Sequence, residues 1–167
     1  DSLMKYITFD KVEQANYDIC ILTPKLVSAD IMRYYIEPNL LGEKDNIAAY
    51  DLYKNGKRTS VTLQKEYLDE LLPYLQDLGV KYLLVADGEY FKTLAKVTKI
   101  DPSSGYVLDC KYKKYDFKII YVPSTGSMFY DPEKVLAKIE QGTKALSRYR
   151  SGTYREPGKD IIRYARY

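Results

Sequence analysis

The chain has 167 residues, 46% of them hydrophobic and 29% charged, with a net charge of +3. This suits one domain with a packed core, excludes a disordered chain, and permits nucleic-acid binding without demanding it. With no His and two Cys, serine and cysteine triads, His-rich metal sites and four-thiolate clusters are excluded, and neither a metal nor a cofactor is expected.

Tyrosine is abundant, 19 residues, while tryptophan is absent. Its apolar body and polar tip suit half-buried walls and stacking on bases, although AT-rich codon usage produces the same bias. Cys20 falls in an apolar run and Cys110 near a hairpin, so no disulfide framework is expected and a reducing, cytoplasmic setting fits. No signal peptide and no apolar run long enough to span a membrane is visible. A start at Asp1 rather than Met suggests a fragment, a processed product or an excised domain.

Residues 1–17 read as an arm with a short helix or strand. Ile19–Leu22 is a buried strand ended by Thr23-Pro24-Lys25, since proline cannot donate to a ladder. Ser28 suits an N-cap for a helix with Ile31, Tyr34 and Tyr35 on one face, stopped at Glu37-Pro38-Asn39. Asn46–Tyr53 is a second strand. It runs into Lys54-Asn55-Gly56-Lys57-Arg58, whose cations form either a solvated turn or a phosphate contact. Thr62–Leu78 is the clearest helix, with Leu63, Tyr67, Leu71, Leu75 and Leu78 in one stripe and Leu68 and Leu72 beside it. Pro73 should kink or split it, and Gly79 closes it.

Lys81–Ala86 is a third buried strand, and Asp87 caps a short helix carrying Phe91, Leu94 and Ala95. Asp101–Gly105 is a turn cluster. Tyr106–Cys110 and Tyr115–Val122 read as a strand pair. The second strand breaks at Val122-Pro123-Ser124, passes through Thr125, Gly126, Ser127 and Met128, and restarts as a helix at Asp131-Pro132. That helix has Val135, Leu136, Ile139, Leu146 and Tyr149 on one face. The backbone amides of Thr125, Gly126 and Ser127 are candidate anion donors. Residues 151–167 change character to a basic, Tyr- and Arg-rich tail or linker leaving the domain.

Strands alternating with helices over 18–150 predict an α/β fold: a three-layer α/β/α sandwich around a mostly parallel four-stranded sheet. Right-handed crossovers bring the carboxyl ends of its strands to one edge. That edge collects Thr23-Pro24-Lys25, Asp51–Arg58, Asp87-Gly88 and Val122–Met128, the position where open α/β sheets bind ligands.

The order of Asp51-Leu-Tyr-Lys-Asn-Gly-Lys-Arg58, Leu71-Leu-Pro-Tyr-Leu75, Val80-Lys-Tyr-Leu-Leu-Val-Ala-Asp-Gly88, Val122-Pro-Ser124 and Tyr130-Asp-Pro132 resembles the uracil-DNA glycosylase superfamily, nearest to its iron–sulfur branch. The resemblance covers Asp18 to Leu146. Leu22 stands where that family has its water-activating acid, and Val122 replaces the His that stabilises the leaving uracil anion. Neither can accept a proton or donate to an oxyanion. Leu71 takes the place of a cluster cysteine, and Asp51 that of the Asn that reads the pyrimidine edge.

The resemblance therefore implies a catalytically degenerate glycosylase-like domain that binds DNA, single-stranded or duplex, or scaffolds a phage replication complex. Such domains are attached to bacteriophage DNA polymerases, so replication proteins or a fused polymerase are the implied partners. Pro24, Lys25, Asp51, Lys54, Lys57 and Arg58 would lie near DNA, with Ser124–Met128 as the loop pressed into the minor groove. Two alternatives stand beside this. One is an active glycosylase or nucleotide-processing enzyme centred on Asp51, with Asp87 or Asp30 assisting. The other is a pure protein-interaction module with a Tyr- and Arg-rich contact.

Overall fold

The computed structural model describes residues 6–8, 17–41, 47–53, 59–99, 105–157 and 163–164. The chain is α/β. Its main sheet contains, in sequence order, β1 (Tyr6–Thr8), β2 (Ile19–Thr23), β3 (Ile47–Asp51), β4 (Tyr82–Val85), β6 (Leu108–Asp109) and β7 (Lys118–Tyr121). Their spatial order is β1-β3-β2-β4-β7-β6. The inner four run parallel, and β1 and β6 close the edges antiparallel. The predicted parallel centre is thus present, widened by one edge strand from the arm and one from the strand pair.

Strand alternation divides the core into two layers. Cys20 and Leu22, Ala48 and Tyr50, Leu83 and Val85, and Ile119 face one side. There they meet α2 (Val61–Asp77) and α3 (Gly88–Ala95). Ile19 and Ile21, Ala49, Leu84 and Ala86, and Ile120 and Val122 face the other side. That side is covered by α1 (Ser28–Ile31), its continuation as a π-helical turn over Met32–Ile36, and α4 (Pro132–Ser151). Strands apolar on both faces are what a sheet covered twice requires.

The helix starts follow their capping residues. The Ser60 hydroxyl accepts from Leu63 N, the Asp87 carboxylate from Tyr90 N, and the Asp131 carboxylate from Lys134 N. Gly152, at φ +81°, ends α4 in the left-handed conformation that glycine adopts without strain. Three expectations shift. A single helix runs through Pro73, held by Leu71, Leu72 and Leu75 in the core on either side of it. Leu63 and Leu136 are exposed: the buried stripe of α2 starts at Gln64 and Tyr67, and that of α4 runs through Val135, Ile139 and Leu146.

The tail expected to leave the domain lies back on it in its described residues. Val107 N donates to the Tyr154 hydroxyl at 2.9 Å. β8 (Arg163–Tyr164) pairs antiparallel with β5 (Val97–Lys99) in a separate two-stranded sheet.

Candidate functional site

β2 sits between β3 and β4, and the helices that follow β2 and β4 lie on opposite faces of the sheet. This is a topological switch point, and the crevice outside its carboxyl ends is the general ligand position of open α/β sheets. Four segments meet at that edge, as the strand order demands.

The loops after β2 and β3 are zipped together. Leu52 N donates to Thr23 O at 2.7 Å and Tyr53 N to Pro24 O at 3.1 Å. Leu26 N donates to the Asp51 carboxylate at 2.5 Å. The Tyr53 hydroxyl reaches the β4 end, donating to Asp87 Oδ1 at 2.7 Å, while Asp87 Oδ2 accepts from Tyr90 N at 2.9 Å. From beneath, the Tyr67 hydroxyl donates to Asp51 O and the Tyr90 hydroxyl to Leu52 O. Burial pushes both phenols up: Tyr90 reaches about 12, and Tyr67 rises well above its ordinary range, helped by Tyr90 and the Asp51 carboxylate. Part of the tyrosine excess is accounted for here, as buried rings whose hydroxyls fasten loop carbonyls.

The loop after β7 is tied to α1 from across the edge. Thr125 Oγ1 donates to Asp30 Oδ2 at 3.3 Å, and Gly126 N donates to Ser124 Oγ at 3.2 Å. Of the three amides expected to face an anion, that of Gly126 is therefore directed at its own chain. Thr125–Phe129 forms a 3-10 turn, with Met128 packed on the α1–α4 core layer. Lys25 is exposed, Pro24 and Ser124 half-buried, and Thr125 buried. Lys54, Lys57 and Arg58 lie outside the described residues, as does the side chain of Ser127.

The positions the resemblance marks as chemical carry none. Leu22 and Val122 are fully buried, and they face opposite core layers. The carboxylates of Asp30, Asp51 and Asp87 each accept a hydrogen bond from the scaffold. Among the described residues no group of three or more His, Cys, Asp or Glu could hold a metal ion. No described helix is long and apolar enough to cross a membrane.

Two features of this edge escaped the sequence reading. Phe129 and Tyr130, 88% and 86% exposed, stand together at the end of the 3-10 turn with ring centroids 5.5 Å apart. Their signal was an aromatic pair between Gly126 and Pro132 with no apolar period to place it in a core. The second is a cavity of about 190 Å3 beside the end of β3, lined by Leu52, Thr59, Tyr67, Tyr90 and the carboxylates Glu66 and Glu70 among others. Paired carboxylates make it a poor seat for an anion. No protein-family model matches the chain, and neither does any curated protein.

Proposed function

We propose that this domain is a non-catalytic DNA-binding module of a replication assembly, glycosylase-like in architecture, which presents the carboxyl edge of its sheet to the nucleic acid. The resemblance to domains fused to phage DNA polymerases supplies that context. The observation that carries the binding is the exposed Phe129–Tyr130 pair on a turn anchored to the core by Met128 and to α1 by the Thr125–Asp30 bond. An isolated pair of solvated aromatic faces offers stacking to unpaired bases of any sequence, and Lys25 adds a cation on the same edge. The scaffold roles of Asp51 and Asp87 speak against an enzyme centred on them, since a general base must be free to take a proton.

Titration of a fluorescent single-stranded oligonucleotide at rising salt tests this. Binding should weaken linearly on a log–log scale with about 0.7 per phosphate contact. Phe129→Ala with Tyr130→Ala should cost about 1–3 kcal/mol per stacked base. Absence of binding at low salt overturns the proposal. A protein contact is the second reading, because an exposed aromatic pair also suits a binding hot spot. Capture of a replication protein that survives neutralising Lys25 but not Phe129→Ala, with no oligonucleotide binding, would favour it.

A further inference from the structure

We propose that the groove between α2 and α3 is a second nucleic-acid track, holding the phosphodiester backbone of a single strand. The groove has a volume of about 690 Å3, within the range of ligand sites. Helical spacing sets its walls. Val61, Lys65 and Asp69 recur every fourth residue along one face of α2. Glu89 and Lys92 line the facing side of α3, turned away from its buried Tyr90, Phe91, Leu94 and Ala95, and Lys96, the left-handed residue that caps the helix, lines the groove at its end. Lys113, in the turn between β6 and β7, also lines the groove.

Four ammonium groups thus line it against two carboxylates. Those carboxylates hold their lysines at the surface: Lys113 lies 2.7 Å from Asp69, and Lys92 3.3 Å from Glu89, with all four side chains about a third exposed or more. Ion pairs this exposed contribute little, so phosphates can compete for their ammonium groups. Both helices start at the carboxyl edge, because α2 follows β3 and α3 follows β4. The groove therefore leads away from the proposed contact edge, and a strand crossing that edge can continue into it. The aromatic pair at the edge stacks on unpaired bases, so the strand that continues into the groove is a single strand. Exposed Val61 gives sugars and bases an apolar contact at the α2 end.

This rests on the DNA-binding reading for the identity of the polymer. The experiment uses oligothymidylates of increasing length, with Lys65→Gln plus Lys96→Gln, Glu89→Gln, and Phe129→Ala. Removing two phosphate contacts should make the salt slope for long oligomers shallower by about 1.4 and weaken binding by about tenfold at low salt. Oligomers too short to leave the edge should be unaffected. Glu89→Gln should tighten long-oligomer binding, an opposite sign that damage to the fold would not produce. If Phe129→Ala weakens binding while the lysine pair and Glu89→Gln change nothing, the groove proposal alone falls. If no oligomer binds at low salt, both proposals fall. If inorganic polyphosphate binds as tightly as the oligomers and competes with them fully, the groove takes anions without regard to nucleic acid, and the assignment is overturned.

Discussion

At Gly142, α4 lies close against the end of β7. A Cβ built there would meet Val122 Cγ1 at 2.7 Å and Ile120 Cγ2 at 3.4 Å. The first is closer than real Cβ contacts, and the valine is stiff about χ1, so it cannot swing aside. Gly142→Ala gains about 1 kcal/mol of helix propensity and incurs about 1–3 kcal/mol of overpacking. The net expectation is a loss of about 1 kcal/mol. Val122→Ala deletes two buried methyl groups and leaves a cavity, a loss of roughly 2–3 kcal/mol. The double variant should be better than the sum of the two. With Cγ1 gone the new methyl fits the vacated space, and Gly142→Ala becomes stabilising in that background. The coupling should be about 1–3 kcal/mol. Urea denaturation followed by circular dichroism measures all four corners of the cycle. Additive losses, or a wild-type background in which Gly142→Ala stabilises, would refute the close approach and the inward aim of Val122 with it.

Three further outcomes follow from the same geometry. Asp87→Ala removes the cap of α3 and the acceptor of the Tyr53 hydroxyl. The loss should be about 2–4 kcal/mol, a fall in Tm of about 5–15 °C by thermal unfolding; a change below 1 °C would exclude the structural role. Burial raises Tyr90 from its ordinary 10.0 to about 12. Its protonated form is thus favoured by folding, and the stability this confers is complete below pH 10 and lost as pH rises towards 12. Phenolate absorbance should show a cooperative step in that window coincident with loss of helix signal, and smooth titration of every tyrosine in a native protein would contradict it. Val122→His alone should release no uracil from uracil-containing single-stranded DNA above the blank, read by alkali cleavage, because its side chain enters the α4 layer; measurable release would show the degenerate-site reading wrong.

Local signals carried most of the architecture. Short apolar runs marked the four parallel strands, because a strand covered on both faces needs no alternation. Ser60 was missed as a cap, yet Asp87 and Asp131 stood where a helix must begin. What sequence could not supply was set by distance along the chain. Thr125 and Asp30 are 95 positions apart, and Tyr53 and Asp87 are 34 apart; no local pattern pairs them. The pairing of β8 with β5 is two residues of contact between a tail and a three-residue strand with no sequence pattern of its own. Periodicity misplaced Leu63 and Leu136 because a stripe gives the direction of burial, not where along the helix the sheet begins. Asp51 was a candidate acid by position, and its carboxylate proved to be the acceptor that closes the loop after β2.

The same edge also constrains what its apolar residues can do. Leu22 in β2 and Val122 just past β7 follow the alternation of their strands, so Leu22 enters the α2–α3 layer and Val122 the α1–α4 layer. A water-activating acid and an oxyanion donor must converge on one substrate atom within hydrogen-bond reach. Side chains buried in opposite layers cannot do so without unpairing the strand ends. Those ends are held by Leu52 N on Thr23 O, Val122 N on Val85 O, and the hydroxyls of Tyr53, Tyr67 and Tyr90. Apolar residues at both positions therefore bury more surface and leave the hydroxyl staples intact, which rigidifies the edge. An edge whose backbone is already held in place incurs less ordering cost on association, and the exposed Phe129–Tyr130 pair stands on such an edge.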